Sequence, residues 1–141
     1  METKQPTVIT VQTTVNAPVD KVWEVWGSPE HIVKWNSASE DWHTPKATND
    51  LRTGGRFIST MAAKDGSVSF DFEGVYNTVK KNELIEYTML DGRKAKVVFT
   101  EKNGATQIVE SFDAETENTE ELQRGGWQAI LDNFKKYCES L

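Results

Sequence analysis

The sequence predicts an α+β domain: an antiparallel sheet of six to seven strands, two short helices after the first strand, and a long C-terminal helix over one face of the sheet. Three observations predict it. Between about Trp42 and Asp113 the chain breaks into β-rich segments separated by two-residue turn signals. Those segments carry apolar residues at every second position, and the last segment, about Thr119 to Leu141, carries an apolar stripe at helical spacing. No repeat, low-complexity tract or linker divides the 141 residues, so residues 1–141 read as a single domain, with 1–7 expected to be a flexible N-terminal segment.

The first strand is VITVQTTV (Val8 to Val15), which alternates apolar and polar and is rich in β-branched residues. It stops at Asn16-Ala17-Pro18, where proline suits a first helical turn because the N–H it lacks has no partner there. Val19, Val22, Trp23 and Trp26 then fall at i, i+3, i+4 and i+7, one face of a helix that Gly27 can end. Ser28-Pro29-Glu30 reads as the cap of a second short helix through Ile32 and Trp35, bent against the first.

Asp65-Gly66, Asp91-Gly92 and Asn103-Gly104 offer residues that tolerate the positive φ of a tight hairpin turn. Around them lie RFISTMAA, SVSFDFEGVY, LIEYTML, KAKVVFT and ATQIVESFD. Period two places Val68, Phe70, Phe72 and Tyr76 on one side and Ser69, Asp71 and Glu73 on the other. Ile85, Tyr87 and Met89 group in the same way, as do Ala95, Val97 and Phe99, then Ile108 and Phe112. A sheet with one aromatic face and one polar face requires a cover on the aromatic face.

The last segment supplies it. Asn118 and Glu121 have the spacing of a capping box. Leu122, Trp127, Ile130, Leu131, Phe134, Tyr137, Cys138 and Leu141 form the stripe, leaving Asp132, Lys135, Lys136 and Glu139 to water. Gly125-Gly126 lies inside this helix, where each glycine costs about 1 kcal/mol relative to alanine. Either a ring or a backbone packs close there, or the turn is softened so that the front of the helix moves and opens an entrance. The acidic run Asp113 to Glu121 before the helix is favoured by the helix dipole by ~0.3–1 kcal/mol, and could secondarily dock a basic partner.

Composition narrows the function. Sixteen Lys and Arg against 22 Asp and Glu give a net charge of −6, which argues against nucleic acid or an anionic membrane, since both reward a dense basic face. The single cysteine, Cys138, excludes an intramolecular disulfide framework and a cysteine-based zinc site. METKQPT has no apolar signal region, and no run approaches the ~18 apolar residues of a membrane span. A soluble, cytoplasmic protein is expected. No G-x-S-x-G, H-E-x-x-H or Cys/His nucleophile arrangement is present, and His31 and His43 have no ligand partner at useful spacing, so neither metal nor cofactor is expected. Gly54-Gly55, framed by Arg52 and Arg56, precedes a strand rather than a helix, which suits a tight turn with surface ion pairs better than a phosphate cradle.

Strand, two helices, meander and long helix is the element order of the helix-grip, START-like fold. Pro18-x-x-x-Val22-Trp23, then Pro29, Trp35, Leu51-Arg52-Thr53-Gly54-Gly55-Arg56-Phe57, Asp65-Gly66, Gly74, Gly104-x-Thr106 and Gly126-Trp127-x-x-x-Leu131 follow in sequence. From about residue 10 to the end, the chain resembles the family of homologues of the C-terminal domain of the activator of heat-shock protein 90 ATPase. The resemblance implies a curved sheet wrapped around the C-terminal helix with a concave space between them. It implies a heat-shock protein 90 homologue as a possible partner only weakly, because much of the eukaryotic activator's chaperone binding lies in a separate N-terminal domain.

Such a space is the default ligand site. Parity lines it with Phe57, Phe70, Phe72, Tyr87, Phe99 and Phe112 from the sheet. Trp127, Ile130 and Phe134 join from the long helix and Trp35 from the short ones. The same rings also serve as ordinary core. Glu110 shares parity with Ile108 and Phe112, which sets a carboxyl group among apolar neighbours. There it binds a polar ligand head or acts as a general acid/base, or else it bonds Tyr87 or the Trp127 indole, or a bulge turns it to solvent. Asp41-Trp42-His43 near a cavity mouth offers a further acid and imidazole, or an exposed pair. The first expectation is non-catalytic binding of a small hydrophobic or aromatic ligand. The alternatives are a chaperone-interacting module and a polyketide cyclase/dehydratase-like enzyme using Glu110.

Overall fold

Alternation of β-branched and polar residues does build the first strand, β1 (Val8–Val15), which buries Ile9, Val11 and Val15 and turns Thr10, Gln12 and Thr14 outward. A computed structural model describes residues 7–141, so all of the expected flexible segment except Thr7 lies outside the described residues. After β1 come α1 (Val19–Gly27) and α2 (Pro29–Trp35), then β2 (Trp42–Asn49), β3 (Arg56–Ala63), β4 (Ser69–Lys80), β5 (Leu84–Met89), β6 (Lys94–Lys102), β7 (Ala105–Asp113) and α3 (Glu120–Glu139).

The seven strands form one curved antiparallel sheet in the order β1-β7-β6-β5-β4-β3-β2. Strands β2 to β7 are a meander, and β1 pairs with β7. The α1–α2 pair therefore carries the chain from one edge of the sheet to the other. The hairpin at Asn103-Gly104 has positive φ at both residues, 55° and 79°, the geometry whose twist matches the flanking strands.

Four details differ from the sequence expectation, each for a physical reason. The edge strand β2 was not legible as a separate segment: it contains Pro45 beside a bulge between His43 and Lys46, which an edge strand tolerates because proline has no ladder hydrogen bond to give. Val68 and Phe70 are about half exposed, 50% and 53%, since alternation assigns a face but not how far the covering helix reaches. Phe70 instead meets Trp42 edge-on at 6.1 Å. Leu122 and Leu141 are exposed at the two ends of the helical stripe.

The start of α3 is capped one residue later than the capping box suggests. The Leu122 N–H donates to the Thr119 hydroxyl, while the Asn118 side chain bonds Glu115. Gln123 is the buried residue of this turn. Its amide takes the Glu115 N–H and donates to the Glu115 and Asn118 carbonyls, clamping the acidic loop onto the helix. At Gly125 and Gly126 a β-carbon would meet nothing within 4 Å, so close packing does not account for the glycine pair. Among the described residues no helix is long and apolar enough to cross a membrane.

Candidate functional site

Aromatic side chains occupy both halves of the space between α3 and the sheet, and they do so differently. Toward the C-terminal half, Leu131, Phe134 and Cys138 are fully buried. The Phe134 ring sits edge-on to Trp26 at 5.0 Å and to Trp35 at 4.9 Å, and Trp26 is edge-on to Phe99 at 5.6 Å. These are favoured ring geometries, and they bury Phe134 completely. Toward the N-terminal half, Trp127 lies flat on Phe112, with centroids 3.8 Å apart and planes 10° from parallel. Beside that stack a cavity of about 220 Å³ opens between α3 and strands β3 to β5.

The sequence expectation is met unevenly. Trp35, Phe57, Phe70, Phe72, Tyr87, Glu110, Trp127 and Ile130 line the cavity. Phe99, Phe112 and Phe134 do not reach it. Phe99 and Phe134 are spent on Trp23, Trp26 and Trp35, and Phe112 is covered by the Trp127 indole. The wall also includes Ser59 and Met61, which share period two with Phe57 and were open to the same reasoning. Thr48 and Asn49 come from β2, the strand hidden by its proline.

Hydrogen bonds hold the wall in place. The Trp35 indole donates to the Val25 carbonyl at 3.0 Å, and Asn133 of α3 donates to the Trp35 carbonyl at 2.7 Å, so the two short helices and the long one are tied at one residue. The Tyr76 hydroxyl donates to Asn49, whose amide donates in turn to the Gly27 carbonyl at 2.7 Å, joining the sheet to the end of α1. Gly74 faces the Phe57 ring closely. A β-carbon there would lie 2.9 Å from Phe57 Cζ and 2.5 Å from the Thr88 carbonyl oxygen, so only glycine fits.

Glu110 keeps its ladder register with Val11 on β1 and Val97 on β6, so no bulge turns it to solvent. It is 7% exposed and lines the cavity, and its carboxyl group bonds neither Tyr87 nor the Trp127 indole nor any other described residue. Burial pushes its pKa up to about 8 from an ordinary 4.5, because ionising it would strand a charge in an apolar wall. Burial likewise raises the Tyr87 phenol well above its ordinary value, and the charge of Glu110 raises it further. His31 is bonded at 2.7 Å to the Tyr137 hydroxyl, and His43 and Asp41 are exposed. Arg52 pairs with Asp50 at 2.8 Å on the surface.

A void of about 220 Å³ exceeds the roughly 150 Å³ that takes up benzene and falls short of the roughly 300 Å³ of drug-sized sites, which sets the scale at one or two rings.

A curved antiparallel sheet gripping a C-terminal helix, with two short helices after the first strand, defines a START-like protein. Residues 16–139 match the family model described as activator of Hsp90 ATPase homolog 1-like protein, and the chain belongs to that family. It is similar to the solution structure of the AHSA1-like protein from Aeromonas hydrophila, at 44% identity over 95% of this chain and 93% of that one, with a TM-score of 0.89. It is also similar to Chr148 from Cytophaga hutchinsonii, at 60% identity over 94% and 92% of the two chains, with a TM-score of 0.82. NE0264 from Nitrosomonas europaea shares the fold at 18% identity, covering 94% of each chain with a TM-score of 0.80. No curated protein matches.

Proposed function

We propose that this protein binds a small hydrophobic or aromatic ligand, of one or two rings, in the cavity between the sheet and α3, without changing it chemically. The observation that supports the reading is the void itself: a ring-lined space of about 220 Å³ between the sheet and the helices. Water in such a space makes few hydrogen bonds to the wall, so an apolar guest that displaces it gains binding energy.

Thermal unfolding in the presence of benzene, indole and naphthalene tests this. A guest at a hundred times its Kd adds about 2.7 kcal/mol of stability, a readily measured rise in Tm. The expected companion result is a set of NMR shift changes confined to Phe57, Phe72, Tyr87 and Trp127. With neither stabilisation nor those changes the cavity reading falls. Recognition of a chaperone, which the family description puts forward, then takes its place, to be measured as the ATPase rate of the host's heat-shock protein 90 homologue.

A further inference from the structure

Glu110 is the one carboxylic acid of the cavity wall, and the wall holds no lysine, arginine or histidine. From β1 and β6 it is flanked by Val11 and Val97, and α3 brings Trp127, Ile130 and Leu131 to the same space. The titratable group coupled to it is Tyr87 on β5, whose phenol burial keeps protonated. The cation that acts on Tyr87, Arg93, is itself held by Asp91 at 2.7 Å. A buried carboxyl group with no protein partner costs the fold stability, and a ligand that supplies the missing partner removes that cost.

Two ligand chemistries do so: a carbonyl that accepts the acid's proton, or a cation that pairs with the carboxylate. The rings around the acid separate them. Trp35, Phe57, Phe72, Tyr87 and Trp127 present π-systems to the cavity, and π-faces attract a cation while offering a carbonyl oxygen no comparable gain. Resting on the reading that this cavity holds a ligand, we propose that the ligand is an organic cation, an arylalkylamine whose ammonium group pairs with Glu110 while its ring lies among the aromatic walls. Because the empty site keeps Glu110 protonated up to a pKa of about 8, an ammonium ion that enters below that pH sends a proton from Glu110 to the solvent. Uptake is thus coupled to proton release.

The experiment is calorimetric titration with 2-phenylethylamine and its neutral counterpart 2-phenylethanol between pH 5.5 and 8.5, on the wild type and on Glu110→Gln. The amine stays protonated at its nitrogen across this range, so its pH dependence reports the protein. Its affinity is expected to rise about tenfold per pH unit below 8 and to level off above, and at pH 8.5 to exceed that of the alcohol by about tenfold or more. The alcohol is expected to show no such rise. Glu110→Gln, with its unfolding transition confirming the fold, is expected to lose the amine's advantage and its pH slope while still binding the alcohol. An amine that binds no better than the alcohol, or a slope that survives in Glu110→Gln, overturns the cation and leaves the carrier standing. Binding of neither probe brings down both.

Discussion

The two halves of α3 meet the same sheet with the same kind of residue and reach opposite outcomes. Around Phe134 the rings of Trp26, Trp35 and Phe99 pack edge-on, and Phe134 itself is fully buried. Around Trp127 one ring is committed to Phe112, and the strands beyond fall away from the helix to leave the cavity. The front half is also less well secured: Leu122 is exposed, and Gly125 and Gly126 touch nothing that requires glycine. The fully buried side chains of α3, Leu131, Phe134 and Cys138, thus lie toward its C-terminal end, and Trp127, at the cavity wall, toward its N-terminal end.

The sharpest test of that contrast is a pair of truncations read by urea unfolding. Phe134→Ala is expected to cost about 3–5 kcal/mol, as a fully buried ring whose neighbours cannot collapse onto the gap. Phe72→Ala, at the cavity wall and half-buried, is expected to cost about 1–2 kcal/mol, because its ring already borders a void. Equal costs would mean that the two halves are packed alike.

The next effect comes from Glu110. In the unfolded chain its carboxyl group ionises near 4.5, and in the folded protein only near 8. Below pH 4.5 both states are protonated and the acid costs nothing. Between 4.5 and 8 the unfolded state alone gains by ionising, so folding stability falls as pH rises, and above 8 the loss is complete. Glu110→Gln is expected to match the wild type near pH 4.5 and to exceed it by about 4–5 kcal/mol at pH 8.5, measured as the pH dependence of urea unfolding. Parallel curves for the two proteins would place the carboxyl group in water.

The smallest effect concerns the glycine pair. Gly125→Ala and Gly126→Ala are each expected to stabilise by about 1 kcal/mol in thermal unfolding, since a methyl group there meets only open space. A softened turn that admits ligands would also slow ligand entry when stiffened, which stopped-flow mixing with indole reads directly. Destabilisation by either alanine would mean that the front of α3 has little freedom to take up a side chain.

Much of this architecture was legible because period two survives in β5, β6 and β7. Ile85, Tyr87 and Met89 share a buried face, and Glu110 is carried inward by the same alternation as Ile108 and Phe112. Parity fails where something other than the neighbouring residue decides. Val68 and Phe70 have the right phase and are still about half exposed, although Phe70 borders the cavity. Pro45 erased the signature of β2 and with it Thr48 and Asn49 of the wall. The void itself has no local signature: Trp127 and Phe134 occupy one helical stripe, and which of them borders empty space follows from how α3 is seated. The Asn133 bond to the Trp35 carbonyl and the Gln123 clamp on the acidic loop fix that seat, one across 98 residues and the other within the loop.

Gly74 carries a consequence for the chamber. By leaving out one β-carbon, this position lets the Phe57 ring settle against β4 instead of projecting toward α3. The depth of the chamber is therefore gauged from outside its lining, by a residue that forms no part of the wall. An alanine at 74 would meet the Thr88 carbonyl oxygen as well as the ring, so β4 and β5 would have to part before the side chain fitted.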